Sequence, residues 1–209
     1  HDMLSADKYQ QLVNEAYQNA QEEAPYTSAP QYNTNWYDAT MQTGTFQQYN
    51  ASLSGGSDKV QSLFSANYYK RKGIMKTTGF DRIALNQNNT FMPYKWLTLR
   101  SSLALSVSHN TSLDATSSYM NTTLSTGSIF MSSLIAPPNI PIWDESTNYY
   151  QGIHALRLPN PVGVEARNNR KNKRNYMVAN VSGDIKFTKD LIYTSRFGIK
   201  IYNRNDISF

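Results

Sequence analysis

The chain has 209 residues, with 20 Lys+Arg against 15 Asp+Glu and a formal net charge of +5. Hydrophobic residues make up 39% and charged residues 17%, both below the roughly 45–50% and 25% of soluble domains, and the balance is Asn, Ser, Thr, Gln and Tyr. With 21 Asn, 15 Tyr and 12% aromatic residues, the composition argues against a coiled coil, a disordered chain and a tightly packed helical enzyme. The absence of cysteine removes disulfides, thiolate zinc sites and cysteine nucleophiles. His1, His109 and His154 lack metal-ligand spacing, so no metal or cofactor is expected. No stretch reaches the roughly 18 apolar residues of a spanning helix, and no signal peptide is visible at the start.

The first expected element is a helix over Leu4–Glu23. Ser5 is placed to cap it and Asp7 to complement the helix dipole, while Leu4, Tyr9, Leu12, Val13, Ala16 and Tyr17 share one face. Pro25 and Pro30 end it, and Pro25–Asp38 reads as a connecting loop holding Trp36. From Thr45 the period changes to two. Tyr49, Ala51 and Leu53 alternate with Gln48, Asn50 and Ser52, and Ser54–Asp58 is a turn cluster. Val60–Tyr69 sets Phe64, Ala66 and Tyr68 on one face; a third strand runs from Phe80 to about Phe91 and turns at Met92-Pro93-Tyr94.

The fourth strand sets Leu97, Leu99, Leu103, Leu105 and Val107 against Thr98, Arg100, Ser102, Ala104 and Ser106. Two late strands flank Thr188-Lys189-Asp190. Their apolar faces hold Met177, Ala179, Val181, Ile185 and Phe187, then Leu191, Tyr193, Phe197, Ile199 and Ile201.

Six strands of about 9–13 residues result, longer than the roughly 5–6 of a soluble sandwich and close to the 9–11 of a tilted membrane-barrel strand. Each is apolar on one face only, and Arg100, Asp184, Lys186, Arg196 and Lys200 stand mid-strand on the other, as residues facing a watery lumen do. Connections alternate between short turns and longer loops, the longest from about His109 to Asn175. That alternation is the layout of an outer-membrane barrel with short periplasmic turns and long extracellular loops. Tyr68, Tyr69, Tyr94 and Trp96 fall at strand ends, where an interfacial aromatic girdle stands. The fold class expected is therefore all-β: an antiparallel transmembrane barrel segment with one short N-terminal helix. Residues 1–38 are its helix and connecting loop, and 39–209 its strands.

Several motifs carry a family resemblance. Trp36, Asn50-Ala51-Ser52-Leu53-Ser54-Gly55-Gly56, Tyr68, Gly73-Ile74 and Gly79-Phe80-Asp81-Arg82 resemble the SusC/RagA family of TonB-dependent outer-membrane transporters. So do Lys95-Trp96-Leu97, Ala136-Pro137-Pro138 with Ile140-Pro141, and Asn160-Pro161-Val162 before Asn172-Lys173-Arg174. The helix opening Leu4-Ser5-Ala6 is similar to one that family places early in its barrel region. The resemblance implies a much longer chain, with a signal sequence, a TonB-contacting segment, a plug and a barrel of about 22 strands. It implies bacterial outer-membrane import of glycans or peptides, powered by TonB-ExbB-ExbD and capped by a SusD-like surface lipoprotein. Six strands cannot close such a barrel, and an open edge in lipid leaves backbone groups unpaired, so the chain reads as one piece of it.

Trp143, Tyr149, Tyr150 and His154 form an aromatic patch in the long loop, with rings able to stack on a sugar or peptide or to pack the loop on itself. Asp144-Glu145 is an adjacent acidic pair, but no nucleophile, base and orienting group can be drawn together, so no enzyme is expected. The basic run Arg167–Arg174 lacks interleaved aromatics and reads as a solvated loop or a lipid-headgroup contact, with no nucleic-acid partner. Asn88, Asn110, Asn121 and Asn180 each open an N-glycosylation pattern that an Asn-rich chain produces by chance. The alternative fold and function is a secreted β-sandwich that binds glycans through loop aromatics.

Overall fold

The computed structural model describes residues 3–113, 129–153, 158–167 and 169–208. Helix α1 spans Ala6–Asn19, with Ser5 Oγ accepting the Lys8 amide at 3.3 Å and Asp7 in the first turn. It stops short of Glu23 because Asn14 grips the returning chain. Its amide donates to Tyr26 O at 2.7 Å and its Oδ1 accepts the Tyr26 amide at 3.0 Å, which forces a reversal through Gln21 at φ 62°. A short helix α2, Trp36–Thr40, interrupts the expected loop. Asn35 caps it, its Oδ1 accepting from the Asp38 amide at 3.0 Å.

Four strands follow: β1 (Thr45–Gly56), β2 (Val60–Lys72), β3 (Gly79–Tyr94) and β4 (Leu97–Leu113). Helix α3 (Ile129–Ile135), the short strands β5 (Trp143–Asp144) and β6 (Tyr149–Tyr150) and helix α4 (Pro161–Arg167) occupy the long connection. Strands β7 (Asn169–Lys186) and β8 (Ile192–Ser208) complete a six-stranded antiparallel sheet of order β1-β2-β3-β4-β7-β8, while β5 and β6 pair separately. The main strands are 12 to 18 residues long. They outrun the expected lengths because polar residues, including the basic run at the start of β7, continue the ladder beyond the alternating apolar part. Arg170–Arg174 therefore lies in a strand rather than a loop, paired along Ser108–Ser112.

The register sets all six apolar faces on one side. One row across the sheet reads Ala51, Ala66, Leu85, Leu105, Met177 and Ile201, and the next Leu53, Phe64, Gln87, Leu103, Ala179 and Ile199. Among the described residues the register of the main sheet breaks between Phe91 and Tyr94, where Pro93 has no amide to donate. The bulge brings Tyr94 opposite Leu97, on the apolar face, with its ring stacked on Trp96 at a centroid distance of 5.3 Å. Polar groups on this face find partners within it: Asn89 Nδ2 donates to Ser101 Oγ at 3.3 Å.

Large apolar side chains on this face stand exposed, Leu53 at 74% and Phe197 at 73%. Among the described residues no second sheet covers it, so the sandwich alternative lacks the packing partner it requires. The stretch Leu97–Val107 spans about 33 Å along the strand, or about 25 Å in height at a 40° tilt, which matches the apolar band of an outer-membrane barrel.

Turns at Asp58-Lys59, Lys95-Trp96 and 187–191 close one end of the sheet. The first is tight enough that a Cβ on Gly56 would lie 2.1 Å from Val60 O. At the other end helices α2, α3 and α4 and the long connection form a cap. Its buried core is Trp36, Ala136, Ile153 and Leu158, with Ile140, Ile142 and Val162 against it. Trp36 Nε1 donates to Pro137 O at 2.9 Å, and Thr34 donates to Pro138 O from its amide at 2.7 Å and to Ile140 O from Oγ1 at 2.6 Å. Glu165, 4% exposed, accepts from the Thr77 amide at 3.1 Å and fastens α4 to the β2–β3 connection.

Candidate functional site

Two arrangements at the cap end and within the sheet have chemistry suited to a ligand. The first is built on the β5–β6 hairpin, where Trp143 stands opposite Tyr150. Their rings meet edge to face at 5.1 Å, and Tyr149 meets Tyr150 at 6.2 Å. Asp144 holds the intervening turn, its oxygens accepting from the Ser146 amide at 2.9 Å, Ser146 Oγ at 2.6 Å and Thr147 Oγ1 at 2.9 Å. Those donors hold its carboxyl below the usual aspartate range, so Asp144 is an anionic turn lock and not a proton donor.

Asn160 ties the hairpin to α4. Its amide donates to Ile142 O at 2.9 Å and Gln151 O at 3.0 Å, and its Oδ1 accepts from the Val162 and Gly163 amides at 3.0 and 3.1 Å. In the last turn of α4, where a cation suits the helix dipole, Arg167 lies over the Tyr149 ring at 4.2 Å and reaches Tyr150 at 5.8 Å. Between hairpin and helix lies a cleft of about 320 Å³ that includes Tyr149, Tyr150, Asn160, Gly163 and Arg167 in its walls. Gly163 is required there, since a Cβ would stand 2.9 Å from the Tyr150 ring.

Of the four aromatic-patch residues, Trp143, Tyr149 and Tyr150 come together in this hairpin, and His154 lies outside the described residues. The sequence reading missed Arg167, Asn160 and Gly163 as partners of the rings. Arg167 reads as one more charge in a basic run, and only the fold of α4 onto the hairpin separates it from the cations of β7. Among the described residues no three His, Cys, Asp or Glu side chains converge to hold a metal ion.

The second arrangement is the polar face of the sheet. Arg100, Asp184, Lys186, Arg196 and Lys200 all occupy register positions opposite the apolar side. Arg100 and Asp184 pair at 2.5 Å, and Thr194 Oγ1 donates to Asp184 at 3.0 Å. Lys200 Nζ lies 5.6 Å from the centre of the Tyr176 ring. Asn180 Nδ2 donates to Ser102 Oγ at 3.2 Å and Asn86 Nδ2 to Ser65 Oγ at 3.5 Å, so hydrogen bonds stud this face where the other carries hydrocarbon. Three of the glycosylation patterns lie within strands, with Asn88 in β3 and Asn180 in β7. Asn110 lies within β4, and Asn121 is outside the described residues.

A one-sided sheet with short turns at one end and a folded cap at the other defines a wall segment of an outer-membrane β-barrel. No family model matches the chain. It is 24% identical over 204 residues to TonB-dependent receptor P3 of Formosa agariphila, covering 97% of this chain and 19% of that receptor. It is 27% identical over 123 residues to TonB-dependent receptor P39 of the same organism, covering 58% of this chain and 11% of the receptor. The chain thus spans about a fifth or less of the length of these curated relatives.

Among solved structures, the RagAB peptide transporter aligns with a TM-score of 0.67 at 18% identity, over 99% of this chain and 26% of that one. The RagAB peptide importer in its closed-closed state aligns with a TM-score of 0.65 at 19% identity, over 97% and 24%. The chain is SusC/RagA-like in fold, partial relative to each of these proteins, and its place is the outer membrane.

Proposed function

We propose that the chain is part of the barrel wall of a TonB-dependent transporter that imports glycans or peptides, rather than an enzyme. In this reading 1–38 is the helix and connecting loop at the start of the barrel region, lending Thr34 and Trp36 to the cap, and 39–209 supplies the barrel strands and the long extracellular loop. The observation that carries this reading is the register, which gathers six apolar strand faces on one side and the mid-strand charges on the other. Lipid solvates the first side, while water and a plug solvate the second. Arg100, Asp184, Lys186, Arg196 and Lys200 then line the lumen.

The cap lies at the long-connection, extracellular end, where a SusD-like lipoprotein closes over the barrel. There Trp143, Tyr149 and Tyr150, with Arg167 behind them, offer ring faces to a sugar or to the side chains of a peptide. TonB-ExbB-ExbD acts through a segment other than this chain. The likeness to a peptide importer supports the peptide side of the ligand class, and the aromatic cleft accommodates either.

The test is made in the full-length protein. Its deletion from the host is expected to abolish growth on one of a set of glycans or peptide digests supplied as sole nutrient. Trp143→Ala with Tyr149→Ala is expected to raise the concentration needed while the protein still reaches the outer membrane. Unchanged growth on every nutrient after deletion overturns the transport reading. Unchanged growth of the double variant overturns the role of the cleft alone.

A further inference from the structure

The apolar face does not stay apolar to the cap end. Above the row Tyr49, Tyr68, Ile83 and Val107, where the two tyrosine rings stack at 6.3 Å, the same face carries Gln47, Lys70, Asp81, His109 and Lys173. One row further it carries Thr45, Lys72, Gly79, Thr111 and Lys171. Gly79 places no side chain between Lys72 and Thr111, and a cleft of about 380 Å³ opens there, with Lys70, Lys72, Asp81, His109 and Thr111 among its walls. The carboxylate in it, Asp81, is engaged by His109 Nδ1 at 3.0 Å. Among the described residues neither Lys70 nor Lys72 has a carboxylate within ion-pair distance. Lys171 and Lys173 stand on the same face, across β4 from β3.

A cationic cleft directly above an apolar band and its aromatic belt sits at the depth of lipid headgroups. At the long-connection end those headgroups belong to the outer leaflet. We propose that the cleft around Lys70, Lys72 and His109 holds the phosphate of a phosphorylated outer-leaflet lipid, whose acyl chains lie down the apolar strip of Tyr68, Ile83 and Val107. The proposal rests on the barrel-wall reading. Charge complementarity selects the headgroup: lysine ammoniums bind phosphate as point charges, and His109 and Thr111 add hydrogen-bond donors. A free anion would gain nothing from the apolar strip below.

The experiment uses the full-length protein, extracted in mild detergent from outer membranes, with bound phosphorylated lipid counted per polypeptide by native mass spectrometry. Lys70→Gln with Lys72→Gln is expected to lower lipid retention about 30-fold, as the loss of two lysines facing an anionic surface predicts. Gly79→Leu fills the cleft without removing charge; its Cβ would meet Arg71 O at an ordinary 3.4 Å, so the strand is preserved and the same loss is expected. Lys95→Gln with Lys189→Gln, at the opposite end, removes equal charge and is expected to leave retention unchanged.

Equal retention by wild type and both cleft variants, all inserted in the membrane, overturns the proposal and leaves the wall reading standing. Displacement of the lipid by inorganic phosphate alone at equal concentration also overturns it, since the site would then be a simple anion site. Recovery of the full-length protein in the soluble fraction overturns both readings.

Discussion

Trp36 shows how much one side chain can hold at this end of the molecule. It is 1% exposed, packs on Ala136, Ile153 and Leu158, and donates the hydrogen bond that the Pro137 carbonyl accepts. Trp36→Ala is expected to cost about 3–5 kcal/mol, read as increased protease cleavage within 129–167 in the membrane-inserted protein. Trp36→Phe keeps most of the ring but leaves that carbonyl without its donor, and about 1–3 kcal/mol is expected by the same readout.

A second contrast tests the faces directly. Leu103→Arg, on the apolar side, is expected to cost about 2–4 kcal/mol at the bilayer midplane, whereas Ser102→Arg faces the polar side and should be far milder. Equal losses of heat-resistant, membrane-inserted protein for the two variants would sink the face assignment.

At the scale of elements, α1 is held by the turn that follows it as much as by its own sequence. Tyr9 meets the Tyr26 ring at 6.2 Å, and burial, then the neighbouring Tyr26 hydroxyl, pushes its pKa from 10.0 up to about 12. The folded state therefore holds the phenol proton more tightly than the unfolded one. This contribution is fully present below pH 10 and is lost as the pH rises from 10 towards 12. Loosening of α1, followed by proteolysis between residues 19 and 26, is expected at about pH 11 and not at about pH 9, and Tyr9→Phe should abolish that difference.

The hairpin and α4 form a second coupled pair. Gly163→Ala drives a Cβ to 2.9 Å from the Tyr150 ring, so it should part the hairpin from Arg167. The expected outcome is weaker ligand uptake with normal membrane insertion. Arg167→Lys, which keeps the charge but loses the planar stack, should fall between wild type and Gly163→Ala.

At the scale of the whole molecule, the sheet ends in two strands, β1 and β8, that each pair on one side only among the described residues. In lipid such edges need partners, and a closed barrel supplies them. The polypeptide carrying this sequence in the outer-membrane fraction is therefore expected to be several times the mass of a 209-residue chain, measured intact after capture through peptides of this segment. A secreted, detergent-free species of that smaller size would reverse the reading.

The elements that sequence alone determined are those whose physics is periodic and local. Alternation in β4, from Leu97 to Val107 against Thr98 to Ser106, determines strand and face together, because a pleated chain sends neighbours to opposite sides. The capping of α1 by Ser5 and the short turns at Gly56 and Thr188 are equally local. Alternation alone assigns the mid-strand charges Arg100, Asp184, Arg196 and Lys200 to the polar face of their strands, although Arg100 meeting Asp184 required the β4–β7 register.

Tertiary structure alone decided what depends on distant segments meeting. Trp36 and Pro137 lie 101 residues apart, and no pattern in either segment announces their hydrogen bond. Arg167 belongs to the rings of Tyr149 and Tyr150 only because Asn160 fastens α4 to the hairpin. Alternation separates Tyr68 from Tyr69 by face, but that Tyr68 stacks on Tyr49 and Tyr69 meets Phe80 follows only from the pairing of β2 with β1 and β3. Lys70, Lys72 and His109 form one cleft because Gly79 lies between their strands in register. A periodic burial signal is written into each strand, whereas a site is written into the pairing of strands, and only the folded chain contains that pairing.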